Sequence, residues 1–183
     1  GMYESGNNLS LAKGIRGLVG YWKFDEGTGT SAYDSSGRSN TGTLLPSTST
    51  PTWVSGKVGS GALSFTTANH YVQLTTSSVL PKFSVAAWVN PTSNPYRIDI
   101  FGYGEIYFNL QSGKICEYVW GVNSSYLCGS QTVPANTWSL VVATYDGSTE
   151  KVFYNGSLNG SVALSGTPSA NPVPVIGTCR KCR

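Results

Sequence analysis

Short segments rich in Val, Thr, Tyr and Trp recur along this chain, and stretches containing Gly, Ser, Asn or Pro separate them. Segments of this kind form pleated strands and their turns. Helices need longer stretches of Ala, Leu, Glu, Lys and Arg, but charged residues make up only 11% of these 183 residues, against roughly 25% in an average soluble protein. The sequence therefore predicts a single all-β domain, a two-sheet antiparallel sandwich of the jelly-roll type.

The alternation of side chains predicts the strands and the faces that they bury. Strands are predicted over residues 17–24, 61–65, 70–74, 83–89, 105–110, 115–120, 138–145 and 151–155. The segment FSVAAWV (83–89) is apolar on both faces, which predicts a strand covered on both sides. Asp146-Gly147 and Asn155-Gly156 are hairpin turn signals. The sandwich is expected to enclose three indoles, those of Trp22, Trp88 and Trp138.

The chain divides into three parts at residues 16 and 178. Residues 1–16 begin with Gly1-Met2, which is typical of a remnant of expression, and continue as a short helical leader over 3–16. A helix of this length is marginal alone, so the leader either docks on the domain or continues an upstream helix. Residues 17–178 form the predicted domain, and 179–183 form a basic tail. Apart from that tail the basic residues are scattered, so nucleic-acid binding is not predicted.

Four cysteines fall into two local pairs, Cys116 with Cys128 and Cys179 with Cys182. An even count together with low charge is typical of an oxidising, extracellular setting. Four cysteines allow three pairings. We favour a Cys116–Cys128 disulfide because these residues flank a predicted hairpin with its turn near Gly121. For Cys179-x-x-Cys182, half of a zinc site and a redox pair both remain open.

Four blocks, in this order, carry a resemblance to a known family. They are GLVGYWKFDEGTGTSAYDSSGRSNTGTL (17–44), PTWVSGKVGSGALSF (51–65), FSVAAWVNP (83–91) and TWSLVVATYDGSTEKVFYNGS (137–157). With these blocks the chain resembles the laminin-G-like, concanavalin A-like lectin/glucanase family of jelly-roll domains. The resemblance implies a structural Ca²⁺ ion held by Asp34 and Asn40 in the loop DSSGRSNTG. The alternative is an Asx-turn, in which Asp34 caps only its own backbone.

The end of the chain departs from the family pattern. Similar domains close, after the Ile-Gly that matches Ile176-Gly177, with a strand that pairs with the first one. Here the chain ends in TCRKCR. An unpaired GYWKF strand would offer an edge for strand addition by a partner chain.

The acidic residues do not predict catalysis. Sugar hydrolysis normally requires two carboxylates about 5 to 10 Å apart, and no predicted strand carries acids at alternate positions. The single histidine, His70, starts the segment HYVQL, where a surface or hydrogen-bonded role is more common than a catalytic one. The sequence therefore predicts a protein that is not an enzyme.

Aromatic residues accumulate between residues 96 and 130, where the family resemblance is weakest. Rings can stack on sugars while neighbouring polar groups bond hydroxyls. The predicted ligand-binding residues are Tyr96, Arg97, Asp99, Tyr103, Tyr118, Trp120 and Tyr126. Tyr118 and Trp120 are expected on one strand face; the alternative is that all these rings form a second hydrophobic layer.

Together these patterns predict a non-catalytic adhesion or recognition module, located outside the cell or on its surface. Its expected partner is a glycan or a surface protein. The alternative is the structural head domain of a pilin-like filament subunit, of which residues 3–16 would retain the end of a long helix. Membrane contact is expected only through a removed N-terminal segment, because no apolar run here reaches the roughly 20 residues that span a bilayer.

Overall fold

A computed structural model describes residues 17–67, 69–75, 80–94, 97–103, 106–169 and 174–177. Over these residues the chain forms strands and turns, and none of them belongs to an α-helix, so no membrane-spanning helix is found in this part of the chain. The strands are β1 (Ser31–Ala32), β2 (Gly42–Leu45), β3 (Thr52–Val54), β4 (Ala62–Ser64), β5 (Tyr71–Gln73), β6 (Phe83–Val89), β7 (Ile98–Tyr103), β8 (Ile106–Gln111), β9 (Lys114–Val119), β10 (Leu127–Thr132), β11 (Ser139–Tyr145), β12 (Thr149–Tyr154), β13 (Ser157–Ala163) and β14 (Val175–Ile176).

Two antiparallel sheets form the body of the domain. The described strands of the larger sheet follow the order β1-β2-β5-β14-β7-β8-β9-β10, and those of the smaller follow β13-β12-β11-β6, while β3 and β4 pair separately. The predicted turns occur: Gly147 has φ of 94°, and Asn155 and Gly156 have φ of 47° and 84°. Positive φ at both central residues is the conformation that joins twisted strands with a two-residue turn. The predicted jelly-roll sandwich is confirmed.

The core lies between the two sheets, where alternate residues of each strand meet. Phe108 and Ile115 of the larger sheet pack with Val141 and Val152 of the smaller one. A second cluster combines Phe83, Ile106, Val119 and Tyr145. These side chains are buried, and burying one side chain of this size stabilises the fold by about 1.5–3 kcal/mol.

A third cluster lies at the other end of the larger sheet. Leu44 and Val72 are buried there, and Trp22 and Trp53 pack against them from the partly exposed side. Each indole donates a hydrogen bond to a backbone carbonyl, from Trp22 Nε1 to Asn40 O at 2.9 Å and from Trp53 Nε1 to Gly29 O at 3.0 Å. These bonds satisfy the polar edge of a ring whose body is in contact with the core.

The prediction that β6 is covered on both sides is wrong. Trp88 is 41% exposed, and Ser84 and Ala86 on the same face are also exposed. Trp138, the third indole predicted in the core, is only partly buried. An apolar outward residue does not require a covering layer, because much of any folded surface is apolar. The ring of Trp88 lies instead 5.8 Å from the ammonium of Lys57.

The predicted strand over residues 17–24 is also wrong. These residues make one isolated bridge, between Trp22 and Asp34, and Phe24 has φ of 59°, which interrupts an extended run. GYWKF is therefore not a strand with an unpaired edge, and the hypothesis that a partner chain adds a strand there has no structural support. Val175 and Ile176 pair with both β5 and β7 inside the larger sheet. The predicted leader over 3–16 and the tail with Cys179 and Cys182 lie outside the described residues.

Candidate ligand-binding surface

Four aromatic side chains gather on the outer face of the larger sheet. We call Tyr107, Tyr118, Trp120 and Tyr126 the aromatic platform. Tyr107 of β8 lies directly opposite Tyr118 of β9, and residues opposite each other on antiparallel strands share a face. The ring centroid of Tyr118 is 6.5 Å from Tyr107, 5.6 Å from Trp120 and 5.1 Å from Tyr126. Tyr118 therefore contacts the other three rings and centres the aromatic platform.

The platform is accessible from solvent mainly at Trp120. This indole is 48% exposed and meets Tyr118 edge to face, at an interplanar angle of 80°. The three tyrosines are partly buried. The alternative that the sequence left open is a second hydrophobic layer, and such a layer would bury Trp120 as well. The half-exposed indole instead offers a flat apolar surface to solvent.

Arg97 connects two rings of the platform. Its guanidinium carbon lies 5.5 Å from the ring centre of Tyr107 and 5.7 Å from that of Tyr126, within the range of cation–π attraction. Its Nη1 donates a hydrogen bond to the hydroxyl of Tyr126 at 2.9 Å, and its Nε donates to Oδ1 of Asp99. The ion pair with Asp99 balances the charge of the guanidinium. The platform is thus bordered by a paired cation and anion.

The Arg97–Asp99 ion pair affects the pKa values of the groups at this surface. Burial acts to lower the pKa of Arg97, but the hydrogen bond and the charge of Asp99 act in the opposite direction and the net pKa is raised. Burial raises the pKa of Tyr126, and the Arg97 cation offsets only part of that rise. Arg97 therefore remains charged and Tyr126 remains a neutral phenol over the physiological pH range.

The β9–β10 hairpin carries three of the four rings and is closed by a disulfide. Cys116 and Cys128 lie opposite each other in the register of β9 and β10 and form the predicted bridge. Tyr118 follows the first cysteine by two residues, and Tyr126 precedes the second by two. The disulfide joins β9 and β10 covalently at this point. The bridge therefore limits how far these rings can separate.

Beneath the platform, two carboxyl groups face each other between the sheets. Glu117 of β9 and Glu150 of β12 are both completely buried. Burial first, and then the charge of Glu150, raises the pKa of Glu117 to about 9. Burial also raises the pKa of Glu150, against the effect of a hydrogen bond from Asn123. Glu117 is therefore protonated at neutral pH.

The sequence did not indicate this pair because its members lie on strands far apart in the chain. Each strand nevertheless carries a sequence pattern that indicates a buried carboxyl group. Glu117 alternates with Ile115 and Val119, and Glu150 alternates with Val152. An acid at an inward position of an apolar alternation marks a buried carboxyl group.

The residues predicted to bind calcium lie at the other end of the larger sheet. Oδ1 of Asp34 accepts hydrogen bonds from the backbone N–H groups of Tyr21 (2.9 Å) and Ser36 (2.8 Å). Oδ2 accepts from the Ser36 hydroxyl (2.7 Å) and from Asn40 N (3.0 Å). Burial acts to raise the pKa of Asp34, but these bonds act in the opposite direction and the net pKa is lowered.

The bonds from Ser36 N and Asn40 N have the form of the Asx-turn that the sequence allowed as the alternative, and Tyr21 N adds a bond from outside the loop. Two carboxylate oxygens offer about four acceptor directions, and the chain itself uses four. A calcium ion needs six to eight oxygen ligands, and the described residues include no group of three or more His, Cys, Asp or Glu side chains that would hold a metal. The arrangement around Asp34 and Asn40 therefore does not fit the ion without rearrangement. Calcium binding stays a prediction.

The structure brings together five of the seven residues predicted to bind a ligand: Arg97, Asp99, Tyr118, Trp120 and Tyr126. It adds Tyr107, whose register with Tyr118 becomes visible only once the strands are paired. Tyr96 lies outside the described residues, as does the side chain of Tyr103.

Comparison with known proteins places this fold in a family. A family profile described as the concanavalin A-like lectin/glucanases superfamily (Laminin_G_3) matches residues 65–180. The chain belongs to this superfamily. The resemblance drawn from the four sequence blocks is thereby confirmed. Among curated proteins, no sequence matches the chain.

Solved structures of the same fold include carbohydrate complexes. Domain 4 of AbnA, a GH43 extracellular arabinanase from Geobacillus stearothermophilus solved in complex with arabinotriose, has a TM-score of 0.64 and 20% identity, over 88% of this chain and 84% of that one. The receptor binding domain of botulinum neurotoxin D has a TM-score of 0.59 and 15% identity, over 88% and 46%. The binding domain of botulinum neurotoxin DC in complex with SialylT has a TM-score of 0.59 and 11% identity, over 86% and 45%.

This superfamily member spans less than half the length of both toxin domains. At identities of 20% and below, the similarity concerns the fold. The chemistry of this chain has to be argued from its own surface.

Proposed function

We propose that this domain is a non-catalytic carbohydrate-binding module and that the aromatic platform stacks on the sugar. The observation that carries the proposal is the half-exposed ring of Trp120, held edge to face by Tyr118 and bordered by the Arg97–Asp99 pair. An apolar ring face next to fixed polar groups suits a pyranose or furanose, whose C–H groups form apolar patches between hydroxyls.

The charge of the platform favours a neutral sugar. Arg97 and Asp99 form an ion pair, so neither charge is left free to attract a carboxylate. Tyr126 remains a neutral phenol. Burying a charged sugar group against this surface would cost desolvation without a free opposite charge to offset it. The complex of the related arabinanase domain with arabinotriose supports a ligand of this class.

The described acids support the absence of catalysis. Among the residues that the structure describes, Asp99 supplies the carboxylate beside the platform, and it is paired with Arg97. Glu117 and Glu150 are buried between the sheets, where no sugar reaches them. A glycosidase needs two carboxyl groups on either side of the scissile bond. The platform therefore supports binding, and the proposed biological role is adhesion or recognition of a glycan.

An extracellular location follows from the same proposal. The Cys116–Cys128 disulfide suits an oxidising compartment. The extracellular arabinanase domain of the same fold is consistent with that location.

The decisive experiment is a glycan array that carries neutral and sialylated oligosaccharides, followed by calorimetric titration with arabinotriose. We expect the wild-type protein to bind neutral oligosaccharides on the array and Trp120→Ala to lose that binding. The matched control is Trp88→Ala, because Trp88 is exposed to a similar extent (41% against 48%) but lies on the smaller sheet. Equal loss in both variants, or retention of sialylated sugars alone, would contradict the proposal.

A further inference from the structure

The turn of the platform hairpin is hydrogen-bonded to the opposite sheet through Asn123. Asn123 lies in the turn between Trp120 and Tyr126. Its Oδ1 accepts a hydrogen bond from Val119 N at 2.9 Å, and its backbone N–H donates to Val119 O at 2.9 Å. Its Nδ2 donates to Ser125 O at 3.2 Å. Val119 directly precedes Trp120, and Ser125 directly precedes Tyr126, so one side chain fixes the residue before each ring.

The same amide group also reaches the smaller sheet. Nδ2 of Asn123 donates a hydrogen bond to Oε2 of Glu150 at 2.9 Å. Glu150 belongs to β12 and is completely buried, between Thr149 and Lys151 on a strand paired on both sides. A buried acceptor on a central strand has little freedom to move. The turn is therefore attached to a rigid point of the opposite sheet.

A second set of contacts limits the turn from the side. Ser169 N donates to Trp120 O at 3.0 Å. Gly121 has φ of +83° and passes so close to residues 167–169 that an added Cβ would lie 2.9 Å from Thr167 O. These contacts hold the backbone of Trp120 from one side, and the bonds of Asn123 to Val119 hold it from the other.

We propose that Glu150, acting through Asn123, is a positioning residue that holds Trp120 and Tyr126 in the aromatic platform. Glu150 itself does not touch the surface, and its effect passes through a single hydrogen bond. The consequence for sugar binding rests on the proposed function. The consequence for the position of the rings does not depend on that function, so the two are measured separately.

Fluorine NMR of protein labelled with 5-fluorotryptophan reads the position of Trp120 without any ligand. The chain has five tryptophans, and Trp120→Phe identifies the signal of residue 120. We expect Asn123→Ala and Glu150→Leu to shift or broaden that signal. Glu150→Gln keeps a side-chain carbonyl that accepts from Asn123, so we expect the wild-type signal.

The matched control is Asn159→Ala. Asn159 of β13 also joins the two sheets by its side chain. Its Oδ1 accepts from Gln131 N at 2.8 Å and from Ser130 Oγ at 3.3 Å, and both partners lie on β10, beyond the turn that Asn123 holds. Loss of such bonds lowers stability in either variant. We expect a comparable fall in melting temperature and an unchanged Trp120 signal in Asn159→Ala.

The sugar consequence is tested with arabinotriose by titration calorimetry. We expect an affinity loss of about tenfold in Asn123→Ala and less than about threefold in Glu150→Gln, on the scale of measured interaction energies between neighbouring residues. If wild-type protein does not bind arabinotriose, the fluorine signal alone decides the positioning role.

Three results would overturn the inference. One is a Trp120 signal in Asn123→Ala that coincides with the wild type. Another is a shift in Asn159→Ala as large as that in Asn123→Ala, which would reflect general loosening. The third is a shifted signal in Glu150→Gln. Should Glu150→Leu fail to fold, Glu150→Met, which keeps the length of the side chain but has no oxygen to accept from Asn123, takes its place.

Discussion

The two ends of the larger sheet each combine a carboxylate with aromatic rings, but they use them differently. Near β1, Asp34 accepts four hydrogen bonds from the chain, and Trp22 and Trp53 lie against the core. Near β9 and β10, Asp99 pairs with Arg97 at the surface, and Trp120 remains half exposed. The first arrangement satisfies its own polar groups and holds a turn. The second leaves a flat ring beside fixed polar groups, which suits a ligand.

The two ends also differ in how their carboxyl groups respond to pH. The pKa of Asp34 is lowered, so its contribution to stability is present above its ordinary pKa of 3.8 and is lost as the pH falls below that value. The pKa of Glu117, beneath the platform, is raised to about 9 from 4.5. In the unfolded chain Glu117 loses its proton first, so stability falls as the pH rises from about 4.5 to about 9. The fold is therefore expected to be weakened at acid pH by one end and at alkaline pH by the other.

Among the variants that test this difference between the two ends, the largest change in the free energy of unfolding is expected from Glu117→Gln. With its pKa raised from 4.5 to about 9, Glu117 stays protonated at pH 7 at a cost of about 3 kcal/mol relative to the unfolded chain. We expect the variant to be more stable at pH 8, with a flatter decline of stability between pH 5 and 9. Urea unfolding at a series of pH values measures it. A variant whose pH profile matches the wild type would show that Glu117 does not titrate in this way.

A somewhat smaller effect is expected from Asp34→Ala. The change leaves the N–H groups of Tyr21, Ser36 and Asn40 without their acceptor, and such a loss costs about 1–3 kcal/mol. Urea unfolding at pH 7 measures it, with glycan retention expected to remain.

The same variant tests calcium. If Asp34 only caps the turn, the loss of stability is equal in EDTA and in calcium. A loss that appears only in calcium, together with a melting temperature of the wild type that calcium raises, would establish the ion.

Trp120→Ala is expected to change affinity more than stability. Truncating a central aromatic anchor costs at least about tenfold in affinity, while loss of the edge-to-face contact with Tyr118 lowers stability by about 0.5–1.5 kcal/mol. Calorimetric titration with arabinotriose and thermal unfolding measure the two. A large fall in melting temperature with unchanged glycan binding on the array would show that the platform is a structural layer, like the rings near β1.

The smallest effect is expected from Trp88→Ala on the smaller sheet. Trp88 contacts Lys57 through an exposed cation–π pair, worth about 0.5–1 kcal/mol. We expect a loss of stability of that size and full glycan retention. Loss of retention in this variant would move the binding surface away from the larger sheet.

Much of the fold could be predicted because it depends on neighbours in the chain. The alternation of β11, the Asn155-Gly156 turn and the position of Cys116 opposite Cys128 follow from local spacing. The strand over 17–24 failed because an apolar alternation does not show whether a partner strand is present. In the structure those residues make a single bridge, to Asp34.

The candidate site could be predicted only in part. Tyr118 and Trp120 share a face because they are two residues apart on one strand, and that face was expected. Tyr107 and the contact of Arg97 with Tyr126 were missed because they depend on which strands pair and in which register. A shift of one residue in that register would move every one of these side chains to the other face.

The sequence alone predicted an antiparallel sandwich, because alternation and turn residues are local properties. Its resemblance to a known family indicated the concanavalin A-like type, and cysteine spacing favoured the disulfide in the aromatic hairpin without deciding it. Only the tertiary structure decided which indoles face solvent, that Glu117 and Glu150 meet between the sheets, and that Asn123 reaches Glu150. Those contacts join residues distant in the chain. Their formation depends on sheet packing and strand register, which are set by the whole core.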